Sequence, residues 1–336
     1  MTTREASKIS IRRAVSSDVP RVAYLMRLVS DREHSIEAAR KITSDFEPGQ
    51  FYGWLAFAND EAVAVTMLEP CVLERGGRHS NAGYWRYLWV SPDYRKTALY
   101  PRLVFTMIAE AGDFGIDVVY GAIRRPEVAA GHLALGMQKI AEIPVLAKPL
   151  RPARLLSKFH GVGYGSAQWS AIPDFAYRQY LALRRFSVRA GYNVTDRVAT
   201  EVPPQAVIPV LRELYASELQ RPLTPESFAH RYHDNPDGAE YRVLCVEASG
   251  EIRAAIVYRT AQRGRNVSNL VIMEMGYRSS DQDALHFGLV ELEKRAMTLG
   301  CDVVLCLSSS QTIQALLRKW GYFRLKDCLR HLLLVV

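Results

Sequence analysis

YWRYLWVSPDYRKTALYPRLVFTMIAEA, Tyr84 to Ala111, joins three patterns in one stretch. Tyr84 to Val90 is dense in aromatic and β-favouring side chains and predicts a strand. Pro92 and Asp93 signal a turn. From Pro101 the apolar residues Leu103, Val104, Met107 and Ala111 recur every three or four positions, so a helix with one buried face is expected from about Pro101 to Ala111. Strand, tight loop and helix in that order point the first helical amides out of the loop, the layout with which a backbone holds phosphate. Such loops are usually rich in glycine, and none lies between Val90 and Leu103.

The flanking sequence extends the alternation. ISIRRAVSSDVPRV, from Ile9, predicts a short strand and then a helix with Ser17 or Asp18 at its cap and Pro20 in its first turn. FYGWLAFAND and EAVAVTMLEPCVLE read as two strands joined at Asn59-Asp60, a hairpin signal. IDVVYGAI is an apolar strand of the kind buried on both faces, PEVAAGHLALGM a helix, and IAEIPVLAKPL a closing strand. Periodicity fades between Arg151 and Tyr192, and from Asn193 the order repeats. YNVTDRVA, the hairpin YRVLCVEASG–EIRAAIVYRT, VSNLVIMEM and CDVVLCLSS read as strands, PPQAVIPVLRELYA, DALHFGLVELEKRAMTLG and TIQALLRKWGY as helices, and LRHLLLVV as a last strand. The expectation is a pair of tandem α/β (α+β) domains, 8–150 and 193–336, joined by a basic linker, 151–192. Each has a mixed, mostly antiparallel sheet flanked by helices.

Composition agrees, since 336 residues suit two cores of roughly 150 residues each. The net charge of +8 suits an anionic partner, and eight of the basic residues fall between Lys148 and Arg189, where Asp174 is the one acid. No nucleic-acid reading module accompanies them, and no apolar run approaches the roughly 20 residues a bilayer needs, so neither nucleic acid nor membrane is an expected partner. The five cysteines form no C-x-x-C, and His230 and His233 have no third ligand nearby, so neither a disulfide framework nor a metal site is expected. The N-terminal stretch does not read as a secretory signal, which favours a cytoplasmic location.

Arranged in this order, the segments resemble the GNAT acyltransferase superfamily twice over. IRRAVSSDVPRV, with Arg12, Ala14, Asp18 and Pro20, is similar to the family's first strand and helix, VSPDYRK to the end of its fourth strand, and HLALGM to its L-Y-x-x-x-G-F helix. The resemblance implies acyl-CoA as co-substrate, acetyl by default, with a small-molecule amine as acceptor. It implies that the pantetheine arm pairs with a splayed fourth strand at Leu88, Trp89 and Val90. The family's pyrophosphate loop, R/Q-x-x-G-x-G/A, corresponds here to Arg95, Lys96, Thr97, Ala98, Leu99 and Tyr100, with alanine and tyrosine where glycines are usual. The tyrosine of L-Y-x-x-x-G-F, which protonates the departing thiolate, falls at His132, a side chain able to donate or accept near neutral pH. Trp85, Tyr87 and Trp89 alternate along the fourth strand and are candidates to line the acceptor pocket; Glu69, Asp93 and Glu127 are candidate bases. In the second repeat GYRSSDQDAL places Asp281 and Asp283 where a pyrophosphate would meet negative charge, and Leu317 stands at the tyrosine position. That half is expected to be GNAT-like without CoA and to shape the acceptor cleft. Non-catalytic scaffolding and other acyl chemistry, such as decarboxylation, are the alternatives.

Overall fold

The computed structural model describes residues 9–29, 36–46, 51–95, 97–123, 126–160, 172–177, 179–180, 191–213, 215, 218–234, 239–263, 266–325 and 330–335. Their contacts divide the chain into two units, residues 1–142 with 330–336, and residues 143–329.

In the first unit β1 (Ile9–Arg13) leads into α1 (Val19–Val29) and α2 (Ile36–Thr43), the latter not anticipated from the pattern. Arg12 and Arg21 both reach the buried carboxylate of Asp18, which also accepts from the Val15 amide and so fixes the entry to α1. β2 (Tyr52–Ala58) and β3 (Glu61–Arg75) meet at Asn59 and Asp60, both at positive φ (50° and 66°), as the twist of a two-residue hairpin requires. β4 (Arg78–Val90), α3 (Leu99–Ala111), β5 (Val118–Ile123), α4 (Pro126–Ala134) and β6 (Gln138–Ile143) follow. One face of the sheet packs Trp54, Leu68 and Trp85 with Leu103 and Met107 of α3; the other packs Leu55, Phe57, Val65 and Met67 with Val22, Leu25 and Met26 of α1. Each fully buried leucine or methionine contributes about 1.5–3 kcal/mol.

The second unit repeats the plan. β8 (Asn193–Val198), α6 (Pro204–Glu213), α7 (Pro225–Tyr232), β9 (Tyr241–Ala248), β10 (Glu251–Arg263), β11 (Val267–Tyr277), α8 (Gln282–Thr298), β12 (Val303–Leu307), α9 (Gln311–Lys319) and β13 (Phe323–Arg324) occur in that order. The hairpin between β9 and β10 turns at Ser249 and Gly250, again at positive φ.

The two remaining strands are exchanged. Pro144 ends β6, and β7 (Val145–Pro149) lies in the second sheet between β12 and β13. β14 (Arg330–Val335), from the far end of the chain, lies in the first sheet between β5 and β6, with Leu333 opposite Gly121. The sheet orders are β1-β2-β3-β4-β5-β14-β6 and β8-β9-β10-β11-β12-β7-β13, seven strands each, with the sixth position filled from the other half of the sequence. The strand read from IAEIPVLAKPL is therefore two strands in different sheets, and a linear boundary at 150 cuts across this pairing. Proline supplies no amide for a continuing ladder, which makes Pro144 a natural place for the chain to leave one sheet.

The basic residues of β7 and of the helix after it are committed within their own unit. The Lys148 ammonium bonds the Glu293 carboxylate at 2.6 Å, both buried, and Lys158 reaches Asp302 at 2.8 Å from α5 (Pro152–His160), which also places Arg154 Nε 3.3 Å from Asp302. Asp174 accepts from the amides of Ala153 and Arg154 at the start of α5. Arg178, Arg184, Arg185 and Arg189 lie outside the described residues.

Candidate functional site

β4 and β5 run parallel over three rungs, Ala82–Val118, Gly83–Val119 and Tyr84–Tyr120. Among the described residues β4 then continues to Val90 paired with β3 alone, and its other edge carries no ladder partner from Trp85 onward. The parting coincides with a bulge: Leu68 faces Trp85 and Met67 faces Tyr87, which leaves Arg86 as the extra residue. A bulge bends and twists its strand, and here it turns β4 away from β5. Leu88, Trp89 and Val90, expected to face a donor, are half-buried beyond the bulge.

From β4 the chain makes a short 3-10 turn, Pro92–Tyr94, and enters α3. Arg95 is exposed and its Nε donates to the Val90 carbonyl at 3.1 Å. The Thr97 hydroxyl donates to the Tyr94 carbonyl at 2.7 Å and accepts from the Leu99 amide at 3.2 Å, which fixes the loop without glycine. Ala98 sits just before the helix at φ −70°, a conformation any residue adopts. Its amide has no acceptor among the described residues. Lys96 lies outside the described residues. Tyr100 turns away from the loop, and Pro101 in the first helical turn has no amide that needs a partner.

The Tyr100 hydroxyl lies 2.6 Å from Nδ1 of His132 on α4, opposite Gly131, where an added Cβ would stand 3.6 Å from that oxygen. Burial pushes the phenol up to about 12, so it is a neutral donor at physiological pH. His132 is 1% exposed and its ring stacks on Trp85 with centroids 4.3 Å apart. Burial lowers the His132 pKa, opposed in part by the Val128 carbonyl 2.8 Å from the same Nδ1. A carbonyl only accepts, so the tautomer that satisfies Val128 carries its proton on Nδ1. The Tyr100 oxygen then accepts from the same N–H, and the phenolic hydrogen is left for another acceptor. Trp85 donates through Nε1 to Thr66 Oγ1 at 2.8 Å.

The bulge also resolves the aromatic alternation. Trp85 belongs to the α3–α4 face, whereas Tyr87 and Trp89 pack with the α1 face and stack on each other at 4.8 Å. The three do not share a wall, because the extra residue between Trp85 and Tyr87 shifts the period of two. Arg86 reaches Glu69 at 3.0 Å, with the rings of Tyr87 and Phe51 5.4 Å and 5.9 Å from its guanidinium carbon. Glu69 is 7% exposed and stands opposite Tyr84, on the last rung before the strands part. Asp93 is exposed in the 3-10 turn, and the Glu127 side chain lies outside the described residues. Sequence reasoning missed Arg86; a lone charge within YWRYLW was the available signal.

Two features decide the fold: a fourth strand splayed from a parallel fifth, and a helix starting at the splayed end, in each of two similarly ordered sheets. The fold as a whole is similar to that of solved structures that cover nearly the whole chain. A conserved Enterococcus faecalis protein described as a probable N-acyltransferase matches with TM-score 0.67, 10% identity, 98% of this chain and 73% of the other. Saccharomyces cerevisiae N-myristoyltransferase with bound myristoyl-CoA matches with TM-score 0.63, 15% identity, 99% and 79%. A tandem GNAT protein from the clavulanic acid biosynthesis pathway matches with TM-score 0.58, 13% identity, 97% and 98%. The chain has a tandem GNAT fold. No protein-family model and no curated protein sequence matches it.

The second GNAT-like domain has a similar parting, with side chains bonded along it. β11 and β12 pair from Asn269–Val303 to Ile272–Cys306, and a bulge follows at Met273, the counterpart of Arg86. Beyond it the Met275 carbonyl accepts from the Tyr215 hydroxyl at 3.2 Å, and Glu274 accepts from Tyr232 and Arg231. In the following loop Glu213 takes the amide and hydroxyl of Ser279, each at 2.7 Å, and pairs with Arg278. Asp281 caps α8 by accepting from the Ala284 amide at 3.2 Å. Leu317 is buried in the core. Among the described residues no cluster of metal-ligating side chains occurs, and no helix is long and apolar enough to cross a membrane.

Proposed function

We propose that the protein is an acyl-CoA-dependent N-acyltransferase whose first GNAT domain holds the donor. The observation that carries this reading is the open edge of β4 beyond Trp85, leading into a glycine-free loop whose tyrosine is turned inward. The pantetheine amides pair with the free edge around Leu88 to Val90 as an added strand would. The pyrophosphate lies over the start of α3, where the Ala98 amide and the Arg95 and Lys96 charges supply donors, and the Thr97 hydroxyl, spent on Tyr94, holds the loop in shape. The acceptor amine attacks the thioester carbonyl, the C–N bond forms as the C–S bond breaks, and the thiolate leaves with the electron pair. Glu69 receives the proton lost by the nitrogen, and the Tyr100–His132 pair supplies one to the sulfur. The net products are an amide and CoA. Tyr100 thus takes over from α3 the task the family gives to a tyrosine at the His132 position.

The second domain does not bind CoA in this reading, because Tyr215, Glu213 and Asp281 already occupy the strand edge and the loop amides. Acetyl is the default acyl group; the likeness to an N-myristoyltransferase makes longer chains part of the test. Calorimetry with acetyl-CoA and myristoyl-CoA provides that test. Arg95→Glu is expected to weaken binding about tenfold, while Arg278→Glu leaves it unchanged. Absence of binding by either ligand, or equal losses from the two reversals, refutes the assignment.

A further inference from the structure

Arg86 is an unusual residue to find on a central strand. Its neighbours on β4 are aromatic or apolar, its side chain is 30% exposed, and it is the bulged residue at the foot of the splay. A guanidinium carries five N–H donors in a planar fork. Nη1 bonds Glu69 Oε2, and among the described residues no other acceptor is assigned to Arg86. Burial would lower the Arg86 pKa, but Tyr87, Glu69 and Tyr84 outweigh it and hold the group charged. The rings of Phe51 and Tyr87 lie 5.9 Å and 5.4 Å from its guanidinium carbon. A half-buried cation fixed by one bond, with most of its donors unspent, is organised for an incoming planar anion.

We infer that Arg86 and Glu69 together form the acceptor-recognition site for an α-amino acid, Arg86 binding the carboxylate while Glu69 faces the amine. The fit is one of separation and sign. An α-amino acid carries its carboxylate and its amine on adjacent positions of one carbon, and the structure sets a guanidinium and a carboxylate side by side at 3.0 Å. Arg86 follows Trp85 and so lies on the opposite face, the one that carries Glu69, and the bulge brings Tyr87 onto that same face beside it. Tyr87 and Trp89 lie on the same face beyond the pair and offer an aromatic wall to the acceptor side chain. The preference does not draw on Lys148 of β7 or Lys158 of α5, which are spent on Glu293 and Asp302.

The inference rests on the transferase reading for its chemistry, and the test separates the two. Ligand-observed NMR with L-amino acids and with their carboxamides, on the full chain in the presence of CoA, measures recognition without turnover. The amino acids are expected to bind and the carboxamides to bind about tenfold more weakly or not at all. Arg86→Gln should abolish that difference; Arg86→Lys, which keeps the charge and the Glu69 pair but loses the fork, should retain part of it and serves if Arg86→Gln fails to fold. Acyl transfer, read as released thiol, should then show the Arg86→Lys loss in KM rather than kcat. Equal binding of amino acids and carboxamides, or equal losses for both in the Arg86 variants, overturns the inference while leaving the donor site intact. Failure of acyl-CoA to bind refutes the transferase reading and leaves the amino-acid measurement to stand by itself.

Discussion

Lys148→Met is the sharpest test of how the second sheet is held. Lys148 comes from β7, the strand exchanged into that sheet, and Glu293 from α8; their polar atoms are 2.6 Å apart and the residues 6% and 3% exposed. Methionine keeps the straight stem beneath Tyr322, whose ring lies 5.5 Å from the ammonium, so packing is conserved and the charge alone is lost. Breaking a buried pair from one side strands the other charge and costs about 3–5 kcal/mol. Against the 5–15 kcal/mol typical of a domain, that is a large fraction. Urea unfolding followed by circular dichroism at pH 7 should show the loss, and Lys148→Met combined with Glu293→Leu should recover to within about 1 kcal/mol of the parent. The pH dependence has a definite sign. A carboxylate left alone in the core has a raised folded pKa, so the deficit is small below the unfolded value of about 4.3 and grows as pH rises through the folded one. A single variant that loses less than about 1 kcal/mol, or a double variant as weak as the single, refutes the view that the pair is an electrostatic lock.

Other outcomes bear on the first domain. Tyr100→Phe should lower kcat by about a hundredfold with acyl-CoA affinity unchanged, as measured by thiol release and calorimetry, and an unchanged kcat would remove Tyr100 from the chemistry. Because burial lowers the His132 pKa, its contribution to stability is complete above the unfolded value of about 6.5 and is lost as pH falls through the lower folded one. His132→Gln should flatten that acid limb in thermal melts, and an unaltered pH profile would mean that other groups set it.

The double GNAT plan was legible because hydrophobic alternation, the Asn59-Asp60 turn and the order of segments are local properties, and all reappear in the structure. The exchange of β7 and β14 was not. VLAKP and RHLLLV are short and apolar, and nothing in their own pattern says which of two similar sheets they join. The candidate site divided along the same line. Tyr100 had to turn away for a loop without glycine to bind phosphate, and it does. Trp85, Tyr87 and Trp89 were read as one alternating row, and a single inserted residue placed Trp85 on the opposite face.

The reciprocal strands carry a consequence for the gene as much as for the protein. A duplicated half is ordinarily free to drift away or be deleted. Here the last strand of the second half supplies Leu333, fully buried, to the core beside α3 and α4, and β7 of the first half repays the second sheet in kind. A cut at residue 150 would leave each fragment holding the other's sixth strand, so the fragments should regain order when mixed and not when kept apart. The two halves are bound as co-heirs, because neither sheet holds its sixth strand without the other half of the sequence.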